Sequence, residues 1–385
     1  MTRSDRLLLV FDGGLAPGYT AVAVAMTEQA EARGYRVWAA REGFRSLAGA
    51  GLERTRVERL TMQPDGEAGV SDNGEWVRNL YGHIGDPGSP FRSERFRGFH
   101  EEPAQAEAAR FLAEQAFGTI VVAGGNGTLQ GLKALAPRLP AGTRVGFLNC
   151  SVDSDLRGDR SVGFLTALEA GARVARGLFD DALTHKRHYI LEMMGNRGGK
   201  HALHCGACAR AHLIVLPQMD LPGPVLQDIA AALGGRDHSL TVVAEGYASA
   251  HREPGRSAAD YLRGQLAAHG FADRPERRVI AEPYSRYLRG VRPLLMENER
   301  VFLKSRLLLE AFDRGATSVM PYQVGDHDLG VRPLDEVDTD NRVEPQYLDM
   351  IDRFGLASLR EHARACFTDA QPRPPGVGTE AGAGP

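Results

Sequence analysis

The sequence predicts an α/β fold of two doubly wound lobes with mainly parallel sheets, on three observations. Runs rich in Val, Ile and Leu recur at 6–11, 118–123, 145–149, 188–192, 211–216 and 239–244, most of them separated by long segments with helical apolar spacing. These runs are continuously apolar rather than alternating, as strands are when helices cover both faces of a parallel sheet. Finally, 385 residues exceed one ordinary core at a prior of about 150 residues per domain, so two lobes are expected.

Composition narrows the function. Hydrophobic residues make up 43% and charged residues 25%, the balance of a soluble globular protein. The formal charge of -3 gives no basic field to attract nucleic acid, so no nucleic-acid partner is expected. The opening MTRSDRLLLVFDGG holds only a short apolar run ending at Asp12, too short for a membrane span or a signal-peptide core; it reads as the first strand, with no membrane partner. Cys150, Cys205, Cys208 and Cys366 are too few for a disulfide framework and fit a reducing, cytoplasmic setting.

Between 45 and 100 the pattern breaks into QPDGEAGVSDNGE and GDPGSPFRSERFRG, which read as long surface loops that cover or build a site. HALHCGAC at 201–208 places His201, His204, Cys205 and Cys208 at helical spacings suggestive of zinc. One straight helix cannot wrap four ligands tetrahedrally around an ion, so a packing helix is the better reading. The tail 370–385 has nothing to bury and is expected to be disordered.

Two strand-to-helix turns carry chemistry, VFDGGLAPGYTAVA at 10–23 and IVVAGGNGTLQGLKAL at 120–135. In each, glycines stand where a strand ends and a helix begins, so backbone N–H groups and a helix N-terminus can approach phosphate oxygens. Two such turns suggest a polyphosphate donor, although neither matches the P-loop or the dinucleotide fingerprint and either could be plain turn chemistry. A third segment, VGFLNCSVDSDLRGD at 145–159, ends a strand with Asp153 and Asp155 two apart, which suits a hydroxyl-activating base and a metal-linked partner. A calcium loop is disfavoured, because Arg157 takes a ligand position and Phe164 stands where the bidentate Glu should be.

In order, these segments resemble the phosphofructokinase family. GGLAPGYTA resembles its GGxAPGxNA opening, GSPFRSER at 88–95 its G-T-x-x-x-S-x-R donor loop, GGNGT its GGDGS or GGDGT turn, and SVDSD its T-I-D-N-D catalytic loop. The stretch 163–199 is similar to the family's G-F-x-T-A helix, S-H-x-R strand and M-G-R-x-x-G turn, and VVAEG with ERVFLKSRLLLEAF completes a likeness over roughly 6–320. The resemblance implies two Rossmann-like lobes: a donor-binding lobe at 1–160, to which roughly 284–340 returns, and an acceptor-binding lobe at 161–283.

The resemblance also implies roles. Gly13, Arg95, Asn126, Gly127 and Thr128 fall on the donor site, with Gly13 meeting phosphates through its backbone and Arg95 neutralising them. Ser151 falls beside the transferred group, Asp153 on the general base, and Asp155 with Asn126 on the Mg2+ site. Met194, Gly195, Asn196 and Glu245 fall on the acceptor sugar. Arg187 falls on an arginine that reaches a neighbouring subunit's sugar phosphate, and Arg278 on a second, implying a homodimer or homotetramer. The distorted Y-x-Q-R-G segment, EPYSRYLRGVRP, leaves Arg286 and Arg289 competing for the sugar-phosphate role.

Departures matter as much. Asn126 replaces a family Asp and removes a charge from the metal site, and Asn196 replaces the Arg of M-G-R, where an amide cannot supply fixed positive charge. Arg197 is adjacent, but a neighbouring turn position usually points elsewhere. Ser154 replaces an Asn, and Cys150 stands where ATP users commonly carry Gly and pyrophosphate users Lys. Gly127 favours ATP as donor, with pyrophosphate open. The expected function is phosphoryl transfer to a sugar phosphate such as fructose 6-phosphate. The alternatives are a diverged kinase with another acceptor or donor, and a low-activity binding or regulatory protein on the same scaffold.

Overall fold

The computed structural model describes residues 4–52, 55–63, 68–70, 75–83, 85–195, 197–284, 286–325, 328–340 and 342–368. The expected disorder of 370–385 and the site position Asn196 lie outside them. The strands in chain order are β1 Arg6–Phe11, β2 Arg36–Ala40, β3 Val57–Thr61, β4 Gly69–Val70, β5 Trp76–Asn79, β6 Thr119–Gly124, β7 Arg144–Asn149, β8 Arg187–Met193, β9 Leu213–Val215, β10 Ser239–Ala244, β11 Arg278–Pro283, β12 Ser318–Gln323 and β13 Leu329–Pro333. Two compact units form, one from residues up to Ala167 with Arg289–Asp340, the other from Leu168–Leu288 with the described residues after Asn341.

The first unit holds one sheet in the order β13-β12-β7-β6-β1-β2-β3-β5-β4, parallel from β12 through β7, β6 and β1 to β2. Strands β6 and β7 are buried along their whole length, as their continuous apolar runs require. Successive side chains of a strand point to opposite faces. Thus Leu8, Val10, Ile120 and Val122 join one core with Phe44, Phe99, Leu112 and Leu129. On β7, Gly146 admits the helix Leu295–Asp313 so closely that a β carbon there would come within 2.8 Å of Leu308.

The region expected as loops, 45–100, contains β3, β4 and β5, with β3 antiparallel to β2. This corrects the sequence reading, and the cause is a buried charge. Glu58 lies fully buried in the polar-looking run VERLT, held by Arg78 through contacts of 2.6 and 3.3 Å. A charged residue that is buried with its partner hides the alternation by which a strand is recognised.

The second unit is a parallel sheet in the order β11-β8-β10-β9. Its β9 edge is closed by the segment around Ile351, whose carbonyl accepts from Ile214 N at 2.8 Å. Near the start of β9 lies a cleft of about 350 Å³ lined by Arg176, Phe179, Arg210, His212, Arg236 and Arg353, none of them a residue expected at the site. Lys200–Cys208 is a helix with His201 and Cys205 buried, and no group of metal-ligating side chains forms among the described residues. No described helix is long and apolar enough to cross a membrane.

Candidate active site

Strands β1, β6 and β7 are adjacent and parallel, so their carboxyl ends release three segments side by side. These are the turn after Phe11, the turn after Gly124 and the loop after Asn149. In an open parallel sheet, ligands bind beyond such ends.

The turns are tied together by their own polar groups. Asp12 N donates to Ala123 O at 3.1 Å, and Cys150 N donates to Gly124 O at 2.9 Å. Thr128 Oγ1 lies 3.1 Å from both Asp12 O and Asp12 Oδ2. Asn126 N, in the first turn of the helix Asn126–Leu135, donates to Asp155 Oδ2 at 3.0 Å, where the helix dipole favours a carboxylate. The structure therefore brings Gly13, Asn126, Thr128 and Asp155 into one cluster, with Ser151 and Asp153 on the same loop.

Within that loop, Asp153 N donates to Ser151 Oγ at 3.1 Å and Ser161 Oγ to Ser151 O at 2.6 Å. Ser151, Asp153, Ser154 and Asp155 are all buried. Ser154 has a φ of +48°, a left-handed conformation that Asn tolerates better than Ser, which accounts for the Asn at this place in the family pattern. Cys150 is buried and its thiol is pushed well up by desolvation, so it stays protonated and is no nucleophile.

Gly13 and Gly127 differ in what surrounds them. Gly13 has a φ of +91°, but its N–H, expected to meet phosphate, donates to Glu94 O at 3.3 Å. Among the described residues no atom would lie within 4 Å of a β carbon on Gly127, so packing does not demand a glycine there. Arg286 and Arg289, which the sequence left in competition, lie three residues apart on the short helix Arg286–Gly290. Arg289 Nη1 donates to Leu15 O at 3.1 Å.

The other expected acceptor residues, Arg187, Met194, Gly195, Glu245 and Arg278, belong to the second unit. There Glu245 Oε1 accepts from Gly195 N at 3.2 Å. Arg187 and Arg278 lie 3.4 and 3.5 Å from Asp181 and Asp273.

Sequence reasoning missed four groups. Asp12 was visible only as the end of an apolar run, yet its carboxylate lies buried beneath the glycine turn. Burial pushes its pKa up to about 6 against the opposing bonds from Phe44 N and Thr128. Glu297 accepts from Gly163 N, Leu165 N and Thr166 N, capping the helix that follows the Asp153 loop. Lys304 and Asp159 form a buried pair at 2.7 Å. Their signal was spacing: Glu297, Val301, Lys304, Leu308 and Phe312 recur at helical intervals on one buried face.

Asp12 yields a pH prediction. Its native pKa, about 6, exceeds the usual value near 3.9, so the native state binds the extra proton between those limits and stability falls as pH rises from about 4 to about 6. Asp12→Asn removes the buried charge and should raise the melting temperature at pH 8, by up to about 3 kcal/mol of stability, with little change at pH 4. Equal shifts at both pH values in thermal unfolding would contradict this.

The phosphofructokinase family model matches residues 6–301. The chain is 27% identical over 347 residues to ATP-dependent 6-phosphofructokinase of Coxiella burnetii, covering 89% of this chain and 95% of that protein. Pyrophosphate-dependent phosphofructokinase from Nitrosospira multiformis superposes with a TM-score of 0.69 at 16% identity, covering 97% of this chain and 95% of that one. Phosphofructokinase from Saccharomyces cerevisiae superposes with a TM-score of 0.66 at 20% identity over 86% of this chain, which spans only 45% of that longer chain. These structural likenesses speak for the fold, whereas the family match spans the glycine turns, the aspartate loop and most of both units: the chain belongs to the phosphofructokinase family.

Proposed function

We propose that the protein transfers a phosphoryl group from ATP to a hydroxyl of a sugar phosphate such as fructose 6-phosphate, with Asp153 as general base. The observation that carries the reading is the convergence of two glycine turns and the Asp153–Asp155 loop at neighbouring strand ends, linked by the Asn126 N to Asp155 bond. Phosphoryl transfer asks mainly for positioning, a proton acceptor and dispersed positive charge. In this reading Asp153 takes the acceptor hydroxyl's proton, Ser151 lies beside the group in transfer, and Arg95 offsets phosphate charge. Arg187, Met194, Gly195, Asn196, Glu245 and Arg278 are the proposed acceptor contacts, with Arg286 or Arg289 at the sugar phosphate. Arg187 serves a neighbouring subunit of a homodimer or homotetramer.

Magnesium fits this donor set. Among the described residues Asp155 Oδ1 is buried with no hydrogen-bond partner, and Mg2+ is usually held by one or two carboxylates together with substrate phosphates rather than by an all-protein cage. Asp155 would hold the ion, with the Asn126 amide oxygen as a neutral neighbour, and the ion would neutralise phosphate charge. Asn126→Asp restores a second carboxylate and should lower the magnesium concentration giving half-maximal rate. An unchanged magnesium titration would remove Asn126 from the site.

ATP is preferred over pyrophosphate because Gly127 leaves open space where a side chain would project, and packing gives no other reason for a glycine. The test is a paired assay of ATP and pyrophosphate against a panel of sugar phosphates. Faster turnover with pyrophosphate would overturn the donor assignment. Binding of sugar phosphate without turnover by any pair would replace catalysis with a regulatory role.

A further inference from the structure

Asp12, just past the end of β1, is buried between the two glycine turns, and each of its polar contacts asks for a hydrogen. Asp12 Oδ1 accepts from Phe44 N at 3.2 Å. Thr128 Oγ1, on the first turn of the helix Asn126–Leu135, lies 3.1 Å from Asp12 Oδ2 and 3.1 Å from Asp12 O. Tyr19 Oη donates to that same Asp12 O at 2.8 Å. Bare backbone on both sides makes room for the threonine. A β carbon on Gly124 would come within 2.5 Å of Thr128 Oγ1, and one on Gly13 within 3.1 Å.

A hydroxyl has one hydrogen to give. With Asp12 ionised, the Thr128 hydrogen goes to the carboxylate, and Thr128 Oγ1 faces Asp12 O with no hydrogen of its own between them. With Asp12 protonated, every contact is served. Phe44 N–H requires an acceptor at Oδ1, so the acid proton sits on Oδ2 and is donated to Thr128 Oγ1, which releases the Thr128 hydrogen to Asp12 O. The neutral acid is therefore the form that ties the β1 turn to the helix after Gly125. Its surroundings favour that form: burial pushes the pKa up to about 6, and Glu94, on the loop leading to Arg95, acts in the same direction. Glu94 is paired with Arg45 at 2.6 Å, and its carbonyl accepts from Gly13 N. The other titratable neighbour, Tyr19, is kept neutral by burial, with Arg95 and Arg289 acting on it from beside Gly14.

We propose that Asp12 is a positioning residue for the phosphoryl donor: its neutral carboxyl locks Thr128 to the β1 turn, and ionisation loosens the lock and weakens donor binding. The assignment rests on the phosphotransferase reading, in which Gly13 and Thr128 lie on the donor site, and adds a proton dependence to it. Asp12 acts through Thr128 and takes no part in the transfer itself. By linkage, donor binding draws a proton onto Asp12.

Asp12→Asn makes the locked form permanent, because the amide accepts from Phe44 N through its oxygen and donates to Thr128 through its nitrogen. The donor KM, and the Kd of a non-hydrolysable ATP analogue, are measured for wild type and Asp12→Asn between pH 5 and pH 8. Taking the ratio of the two proteins at each pH cancels the ligand's own titration. The ratio of wild type to Asp12→Asn should be near one at pH 5 and rise to about 3- to 10-fold at pH 8, the equivalent of one hydrogen bond, while kcat differs by less than about twofold. Calorimetry in two buffers of different ionisation enthalpy should show wild type taking up more protons on binding the analogue near pH 6 than Asp12→Asn does. Thr128→Ser keeps the hydroxyl and should keep the pH dependence; Thr128→Val leaves the carboxyl in place without its partner and should abolish it. A flat ratio with a normal gain in stability would make Asp12 purely structural and overturn the assignment, leaving the phosphotransferase reading in place. Persistence of the pH dependence in Thr128→Val would show that the carboxylate acts by charge alone, which also overturns it. A wild-type protein that binds no analogue and transfers no phosphoryl group would overturn both.

Discussion

Asp153→Asn is expected to lower kcat about 10²–10⁴-fold, the usual contribution of general-base help to a transfer step. The amide keeps the shape and can still hydrogen-bond a hydroxyl, so acceptor affinity should change far less than turnover. The loop geometry makes this substitution informative. Asp153 N donates to Ser151 Oγ through the backbone, and Ser161 Oγ holds Ser151 O, so these two bonds of the loop do not pass through the altered carboxylate. A purely structural Asp153 would show the reverse pattern, with a lower unfolding midpoint and near-normal turnover. Measuring kcat, acceptor KM and thermal unfolding on one purified variant separates the two, and a folded Asp153→Asn protein with wild-type turnover would sink the proposed mechanism.

Lys304→Met is expected to destabilise the first unit by about 3–5 kcal/mol, the cost of leaving a buried charge without its partner. Lys304 Nζ reaches Asp159 Oδ1 at 2.7 Å and Arg160 O at 2.8 Å. The same Asp159 carboxylate accepts from Gln323 N at 2.7 Å and from Asn149 Nδ2 at 2.9 Å. The pair therefore ties the end of β7, the end of β12 and the helix Leu295–Asp313 to the loop that carries Asp153 and Asp155. Replacing both charges, as in Lys304→Met with Asp159→Leu, should recover part of the loss because no isolated charge remains. Chemical denaturation reads the effect directly. A Lys304→Met midpoint equal to wild type would show that Asp159 is solvated or neutral in the native state.

The parallel strands were readable from the chain because a strand covered on both faces is apolar at every position, and β6 and β7 are buried throughout. The strands β3 and β5 were not readable. Their stability includes the inward pairing of Glu58 with Arg78, and charged letters in a sequence look the same whether they face water or each other. The short motifs around Gly13, Asn126 and Asp153 stood out because glycine and paired carboxylates at strand ends serve few other purposes together. Asp12 and Lys304 were overlooked for the opposite reason, since each is a common residue in an ordinary local context.

By itself the sequence determined the fold class, the order of its principal strands and helices, and the family to which the glycine turns and the SVDSD loop belong, because these depend on local pattern and spacing. Only the tertiary structure decided which charges meet. It placed Arg289 with Arg95 over Gly14, put Asp155 on the first turn of the helix after Gly125, and buried Lys304 against Asp159 across 145 positions of chain. Electrostatic interactions act through space at a few ångströms, and the distance between two residues along the chain carries almost no information about that separation until the sheet has brought its strand ends together.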